Sequence, residues 1–469
     1  MLHEKEINIK DFEEKLYREV CRAGAALYAE ILKKWDDEIH RTRDRGVYRD
    51  KGFRRSVLKT LMGEVEYTRR VYAFTDETGK KGTVYLLDEA IGKTGSGFFS
   101  EALAERTASA VCEMPYRKAA EAVSALTGQS ISHTAAWNTA QRLGVRIDEE
   151  ETENAEKALK NRGKGKKETK VLFEEQDGIW LHLQGKDRRI YGKGREMKLA
   201  VVYDGTEKKG ENRFRLTNKA ACANFETVKK FHRRKEGVIA AEYNTDEIEL
   251  RVLNGDGASW IKHKMSEDTV YQLDRFHRNR ALLSAVRDPE HRKKLFGLLA
   301  EGDTENFLVG IDTLAGAASD EKQEEALNEL YTYFSSNEEG LTSWQSRAEI
   351  PEPPEGKEYR GAGAIESNVF SIIGNRMKGR RKCWSIRGGN NLARLLCLKS
   401  TGRLSGAVSG FAKDMPEKYE EEEITTLSAA KVRETAGKGF DGFKSYIIPS
   451  SQGWLKDFVK IRSFQHMRI

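Results

Sequence analysis

From about residue 170 the sequence stops spacing its apolar residues as helices do and gathers them into short runs. This change constrains the fold more than any other feature. Val171-Leu172-Phe173, Ile179-Trp180-Leu181-His182-Leu183 and Leu199-Ala200-Val201-Val202-Tyr203 come first; a weaker run at Val238-Ile239-Ala240 precedes Ile248–Leu253 and Val270–Leu273. Apolar runs this short, bounded by turn residues, read as buried strands. The early runs are joined by short turns and the later ones are separated by helical stretches. That order predicts one mixed sheet with helices on its faces, an α/β fold.

The flanking segments read differently. Ile9, Phe12, Leu16, Val20, Ala23, Leu27 and Ile31 recur at helical spacing and predict a long amphipathic helix over 8–42. Val57–Tyr72 alternates around Gly63 and predicts a small hairpin. Tyr116–Leu126, the turn Thr127-Gly128-Gln129-Ser130 and a helix capped by Ser132 make a helix-turn-helix pattern, which any two packed helices can imitate. An acidic and then a basic block at 148–169 suggests a connection between domains. The predicted organisation is an N-terminal helical region with the hairpin (1–98), the helix-turn-helix-like region (99–150) and a charged linker (151–169). A strand-rich core (170–278), a helical insertion (279–360), a closing helix with basic residues (361–414) and a peripheral tail (415–469) follow.

Composition narrows the function classes. With 38% hydrophobic residues and 19 Phe, 16 Tyr and 7 Trp, the chain can bury sizeable cores. No apolar run approaches the roughly 20 residues needed to span a bilayer, and the charged N-terminus lacks a signal peptide's apolar core. The five cysteines stand singly, without Cys-x-x-Cys, which fits a reducing cytoplasm and no zinc knuckle. The 81 Lys and Arg against 74 Asp and Glu leave a net charge of +7, a weak pointer to a polyanionic partner.

Three carboxylates stand out by context. Asp177 lies inside an apolar strand, Asp256 ends another in Gly255-Asp256-Gly257-Ala258 before an expected helix, and Glu366 lies near a helix start in Gly363-Ala364-Ile365-Glu366. Taken singly, each is more often a cap or a solvated charge. Gathered at one sheet edge, they would repel unless a cation joined them. Hard cations accept such oxygen ligands and keep positions for water and phosphate. Asp274 and His277 form an Asp-x-x-His pair after the last strand, for which a helix cap beside a hydrogen-bonded His is the plain alternative. Residues 367–413 contain no Asp or Glu but carry ten basic residues, among them Arg376, Lys378, Arg380, Arg381, Lys382 and Arg387. So one-sided a run needs an anionic partner, either polyphosphate or an acidic face elsewhere in the chain.

In this order and spacing, the strand Asp177, Gly255-Asp256-Gly257-Ala258-Ser259-Trp260, Leu273-Asp274-Arg275-Phe276-His277 and Ile365-Glu366-Ser367 resemble bacterial insertion-sequence transposases of the ISLre type, allied to the Mutator-like DDE superfamily. Arg376-Met377-Lys378 and Cys383-Trp384-Ser385 downstream and Lys59–Val65 upstream extend the resemblance over nearly the whole chain. The resemblance implies an RNase H-like catalytic domain interrupted by the helical insertion. It implies Asp177, Asp256 and Glu366 as catalytic, metal-binding residues, with Asp274 and His277 as a supporting motif. A set with Asp274 in place of Asp256 is the alternative; Asp256 is preferred because it closes the longer apolar strand. The implied cofactor is two Mg²⁺ ions, with Mn²⁺ as a substitute. The implied partners are the element's terminal repeats and target DNA, with a homo-oligomer in the synaptic complex, in the cytoplasm at the nucleoid. Ser132, His133, Trp137 and Arg142 are expected to read the repeats; Arg376, Lys378, Arg380, Arg381, Lys382, Trp384 and Arg387 are expected to hold DNA near the cut. The alternatives are an RNase H-like nuclease or resolvase, and a non-catalytic helix-turn-helix regulator.

Overall fold

The computed structural model describes residues 8–76, 79–93, 98–160, 164–211, 213–263, 268–347, 349–379 and 381–409. Arg380 and the 415–469 tail therefore lie outside the described residues. The chain is mixed α/β, without a closed barrel among the described residues, and divides into two compact units.

The first unit comprises Met1–Ala110, Pro115–Ala136 and Val408–Ile469. Helix α1 (Ile9–Thr42) has the predicted bounds but not the predicted face: Ile9, Phe12, Leu16 and Val20 are exposed, and its buried residues are Cys21, Leu32 and Asp36. The expected hairpin is larger than its alternation suggested: β1 (Arg49–Thr60) and β2 (Gly63–Thr75) pair from Thr60–Gly63 outward. They join β3 (Lys81–Val84) and β4 (Phe98–Phe99) in a sheet of order β3-β2-β1-β4. Helix α1 and the short α2 (Leu86–Ala90) cover one face, burying Leu32, Leu58, Val65, Tyr67 and Leu87 together. Helix α3 (Glu101–Glu113), α4 (Tyr116–Leu126) and α5 (His133–Leu159) follow. Ser132 caps α5, its Oγ accepting the Ala135 N–H at 3.1 Å.

The second unit, Val111–Met114 and Trp137–Ala407, holds the predicted sheet. Its strands are β5 (Val171–His182), β6 (Gly194–Tyr203), β9 (Ala220–Asn224), β10 (Leu250–Gly255) and β11 (Thr269–Leu273); α6 (Gly185–Tyr191) joins β5 to β6, and a β7–β8 hairpin (Thr206–Gly210, Arg213–Leu216) precedes β9. The order is β11-β10-β5-β6-β9. The β5, β6 and β9 strands run antiparallel in succession, whereas β10 and β11 add parallel to β5. Helix α7 (Val228–Glu242) makes the crossover to β10. Val238-Ile239-Ala240 is thus part of a helix and not a strand: Phe231, Lys235 and Ile239, four residues apart, form its buried face. Leu172, Val202, Ala220, Ile239 and Tyr243 join that face to the sheet.

The charged linker also proves to be something else. Residues 148–159 continue α5, and their acids face buried cations: Asp148 and Glu151 pair with both Arg234 of α7 and Arg394 of α14 (Ile386–Ser400). Helices α5 and α14 approach so closely at Gly144 that a Cβ there would lie 2.6 Å from the Asn391 Cα.

The predicted insertion consists of α8 (Arg275–Ala285), α9 (Pro289–Glu301), α10 (Thr304–Gly316) and α11 (Glu321–Ser335). Each opens on an aspartate, Asp274, Asp288, Asp303 or Asp320, whose carboxylate accepts first-turn N–H groups. Their apolar faces share a core with Leu253, Tyr271 and Leu273 of the sheet. The chain then returns to the sheet through α12 (Ile365–Asn368), a π-helical turn (Val369–Gly374), α13 (Asn375–Met377) and α14; α15 (Leu404–Ser409) follows.

Candidate metal centre

The strand register brings the aspartates together. Gly255 of β10 stands opposite Gln176 of β5 and opposite Leu273 of β11. One residue further along, Asp177, Asp256 and Asp274 therefore line up across three parallel neighbours. Glu366 arrives from the far side of the insertion on α12, and the π-helical turn that follows, a feature common at functional sites, seats Val369, Ile372 and Ile373 in the core. Asp177, His277 and Glu366 each place one ligand atom within 4.8 Å of the others. His277 Nε2 lies 2.7 Å from Glu366 Oε1 without the alignment of a hydrogen bond.

Asp256 is half-buried at the edge of this group. Its Oδ1 accepts the Ala258 N–H at 2.9 Å, and its carbonyl accepts the Tyr333 hydroxyl at 2.8 Å. Among the described residues 257–263 no helix follows it, contrary to expectation. Gly257, at φ +95°, turns the chain in a space where Asn337 leaves no room for a Cβ. Burial pushes the Asp177 carboxyl up to about 6, with Asp256 and Glu366 adding to the rise while the Gly178 N–H and His277 oppose it. Like charges held this close destabilise one another until a cation joins them.

The donor set suits a divalent cation. Two carboxylates and one imidazole supply three protein donors, and the His277 Nε2 is buried with no hydrogen bond to compete for it. A six-coordinate ion would keep positions for water and a phosphate oxygen. An imidazole in the set favours Mn²⁺ over Mg²⁺ relative to an all-oxygen site.

Asp274 belongs to the scaffold. It is fully buried, its Oδ1 accepts the N–H groups of Phe276 and His277 at 3.0 and 3.1 Å, and its Oδ2 accepts from Asn254 at 3.0 Å. It does for α8 what Asp288 does for α9. Sequence reasoning underrated His277, since an Asp-x-x-His spacing shows the cap but not the approach to Glu366. It also missed Glu175, a carboxylate in the middle of a strand buried on both faces, where every acid needs a partner.

The expected DNA contacts divide. Ser132, His133, Trp137 and Arg142 are all exposed. Lys378, Arg381 and Arg387 are exposed as well. Arg376 and Trp384 are not available: Arg376 is buried with its Nε donating to the Val111 carbonyl at 2.7 Å, and it lies over the Trp384 ring. The Trp384 Nε1 donates to the Met377 carbonyl. Lys382 folds back onto the carbonyls of Asn375 and Arg376. Of the wider acid-free stretch, Arg394 and Lys399 pair with acids at 148, 151 and 113. Part of the basic excess thus answers acidic residues elsewhere in the chain.

Residues 2–414 match the Uncharacterised protein family (UPF0236). The chain belongs to this family. A UPF0236 protein of Caldanaerobacter subterraneus subsp. tengcongensis, whose name joins eleven locus designations, is 26% identical over 398 residues, covering 84% of this chain and 77% of the relative. A second UPF0236 protein of that organism, with four joined designations, is 25% identical over the same length. A "UPF0236 protein in vanSb 3'region" of Streptococcus gallolyticus is 24% identical over 350 residues, covering 73% of this chain and 72% of that protein. No helix among the described residues is long and apolar enough to cross a membrane.

Proposed function

We propose that this UPF0236 protein is a DNA transposase of the ISLre type, with an RNase H-like catalytic unit. The observation that carries the reading is the meeting of Asp177, His277 and Glu366, beside Asp256, at one edge of the five-stranded sheet. Three antiparallel strands followed by two parallel ones on the first strand's other side, with acids on the first, at the end of the fourth and on a late helix, support the RNase H-like reading. Relatives in which one protein name covers eleven or four loci also fit a gene that copies itself.

In this reading Asp177 and Glu366 hold a divalent ion, with His277 Nε2 as the third donor. Asp256, whose charge acts on Asp177, would help to hold a second ion. Cations held there would supply charge stabilisation and activation of the attacking oxygen, water for cleavage and a DNA 3′-hydroxyl for strand transfer. Exposed Lys378, Arg381 and Arg387 hold phosphates near the cut, and Ser132, His133, Trp137 and Arg142 lie where end recognition is expected. Asp274 fixes the start of α8 and so aims His277.

The test is the intact chain with a labelled duplex carrying the DNA that flanks its gene, a second unlabelled duplex, and Mg²⁺ or Mn²⁺. The expected result is a cation-dependent cut at the element end followed by joining to the second duplex, both abolished by chelation. Cutting without joining would make the protein a nuclease. End binding without cutting at any cation concentration would make it a regulator.

A further inference from the structure

Glu174 and Glu175 are adjacent on β5 and therefore face opposite sides of the sheet; both are fully buried. Their partners differ in kind. Glu174 is matched by the cations Lys235 and Arg251. Glu175, two residues before Asp177 and on the same face, is matched by neutral donors only. Its Oε1 accepts the Tyr203 hydroxyl at 2.5 Å and the Ala364 N–H at 3.1 Å. Its Oε2 accepts the Gly363 and Ile365 N–H groups at 3.0 Å each and the Asn254 Nδ2 at 3.1 Å.

Three of these five donors are the consecutive backbone N–H groups leading directly into Glu366. Two of them, on Ala364 and Ile365, belong to the N-cap and first residue of α12, whose N–H groups have no partner within the helix. Among the described residues, the chain reaching them contains no helix between Ser346 and Ile365, and Gly363 sits at φ +144°. The position of Glu366 is thus set by this anchor more than by the segment before it.

The anchor continues to the other side of the site. The single Nδ2 atom of Asn254, fully buried in β10, donates to both Glu175 Oε2 and Asp274 Oδ2. An amide nitrogen can serve two acceptors this way. Asp274 Oδ1 then takes the N–H groups of Phe276 and His277, and the His277 ring meets Glu366 at 2.7 Å. The circuit closes: Glu366, its own preceding backbone, Glu175, Asn254, Asp274, His277 and back to Glu366.

We infer that Glu175, Asn254 and Asp274 form a positioning clamp that presets the spacing of Asp177, His277 and Glu366 for a divalent cation. The clamp rests on the metal-dependent reading above but not on the identity of the DNA reaction. It touches no substrate; it acts by holding the α12 start and the α8 start against β5 and β10. A purely structural role for Glu175 would affect stability and leave the cation affinity of the folded protein unchanged.

The experiment is Mn²⁺ titration of the full-length chain, read by electron paramagnetic resonance, with melting curves on the same samples. Glu175→Gln keeps the side chain's size but turns one acceptor into a donor facing N–H groups. Its Mn²⁺ affinity is expected to fall about 10–100-fold, the range seen when an outer partner of a metal ligand is lost. Asn254→Ser leaves Glu175 its backbone donors and carries the same test if Glu175→Gln does not fold; a loss of about 3–10-fold is expected. The double variant is expected to lose less than the product of the two, since both break one circuit. Wild-type Mn²⁺ affinity in the folded variants, with only the melting temperature lowered, would overturn the clamp. A wild-type chain that takes up no Mn²⁺ would overturn the metal reading and the clamp together. A wild-type chain that binds Mn²⁺ yet cuts no DNA would overturn the transposase reading alone, and the variant affinities would still decide the clamp.

Discussion

Asp177→Asn is expected to stabilise the cation-free protein by about 2–3 kcal/mol at pH 7 while lowering Mn²⁺ binding and DNA cleavage by more than about 10³-fold. The two effects have one cause. Burial, with Asp256 and Glu366 nearby, raises the Asp177 carboxyl from 3.8 to about 6. The folded chain therefore holds that proton more tightly than the unfolded chain does. Between about pH 4 and pH 6 the folded state carries more protons, so stability falls as pH rises through this window. Above pH 6 the full unfavourable amount is present; below pH 4 it is absent. A shift of about two units at roughly 1.4 kcal/mol each sets the upper end of the estimate. Asparagine keeps an oxygen for the Gly178 N–H, which now meets Asp177 Oδ1 at 2.6 Å, so little else is lost. Melting curves of the two proteins should coincide near pH 4 and separate by pH 7, with the variant higher. Added Mn²⁺ should then raise the wild type and leave the variant unmoved. A variant that melts lower than wild type at pH 7 would mean that burial and its acidic neighbours do not strain the Asp177 carboxylate.

Glu174→Gln should have the opposite sign and a larger size, a destabilisation of about 3–5 kcal/mol. Glu174 is in contact with Lys235 of α7 and Arg251 of β10, and Glu236 pairs with both cations. Two acids and two bases balance here, three of them shielded from water: Glu174 is 1% exposed, Lys235 3% and Arg251 8%, while Glu236 is partly exposed. Removing Glu174 leaves a surplus positive charge there, and the desolvation of Lys235 and Arg251 is no longer offset. Burial alone would raise the Glu174 pKa, but Arg251 and Lys235 together hold it below the usual carboxylate range. Its contribution is therefore fully present above about pH 4.5 and is lost as the pH falls below that. Chemical denaturation at neutral pH measures the effect. Adding Lys235→Met to Glu174→Gln should recover part of the loss, because it removes the surplus charge; a double variant less stable than the single would contradict this origin.

The sheet was readable where burial on both faces forces an apolar run, as at Val171–Phe173 and Leu199–Tyr203. It was unreadable at β9, where Ala220-Ala221-Cys222-Ala223-Asn224 offers no β-branched residue to mark a strand. Val238-Ile239-Ala240 misled for the converse reason: three apolar neighbours on α7 look extended unless Phe231 and Lys235 are counted as the same face. Residues 148–159 looked like a linker because Arg234 and Arg394, which neutralise their acids, lie far along the chain. The same limit applies at the centre. Asp177, Asp256 and Glu366 stood out because each is an acid in an apolar or glycine-rich context. The part played by His277 depends on α8 meeting α12, and that of Glu175 on backbone donors that every residue carries. Arg376 and Trp384 read as DNA-facing because sequence does not distinguish a solvated cation from one stacked in the core.

The most direct test of the metal centre is a crystal of the full-length protein grown with Mn²⁺ and measured at the manganese absorption edge. The account predicts an anomalous peak within about 2.0–2.4 Å of carboxylate oxygens of Asp177 and Glu366 and close to His277 Nε2, with any second peak between Asp177 and Asp256. No peak among these residues at millimolar Mn²⁺, or a peak held by Asp274 instead of Asp177, would contradict it.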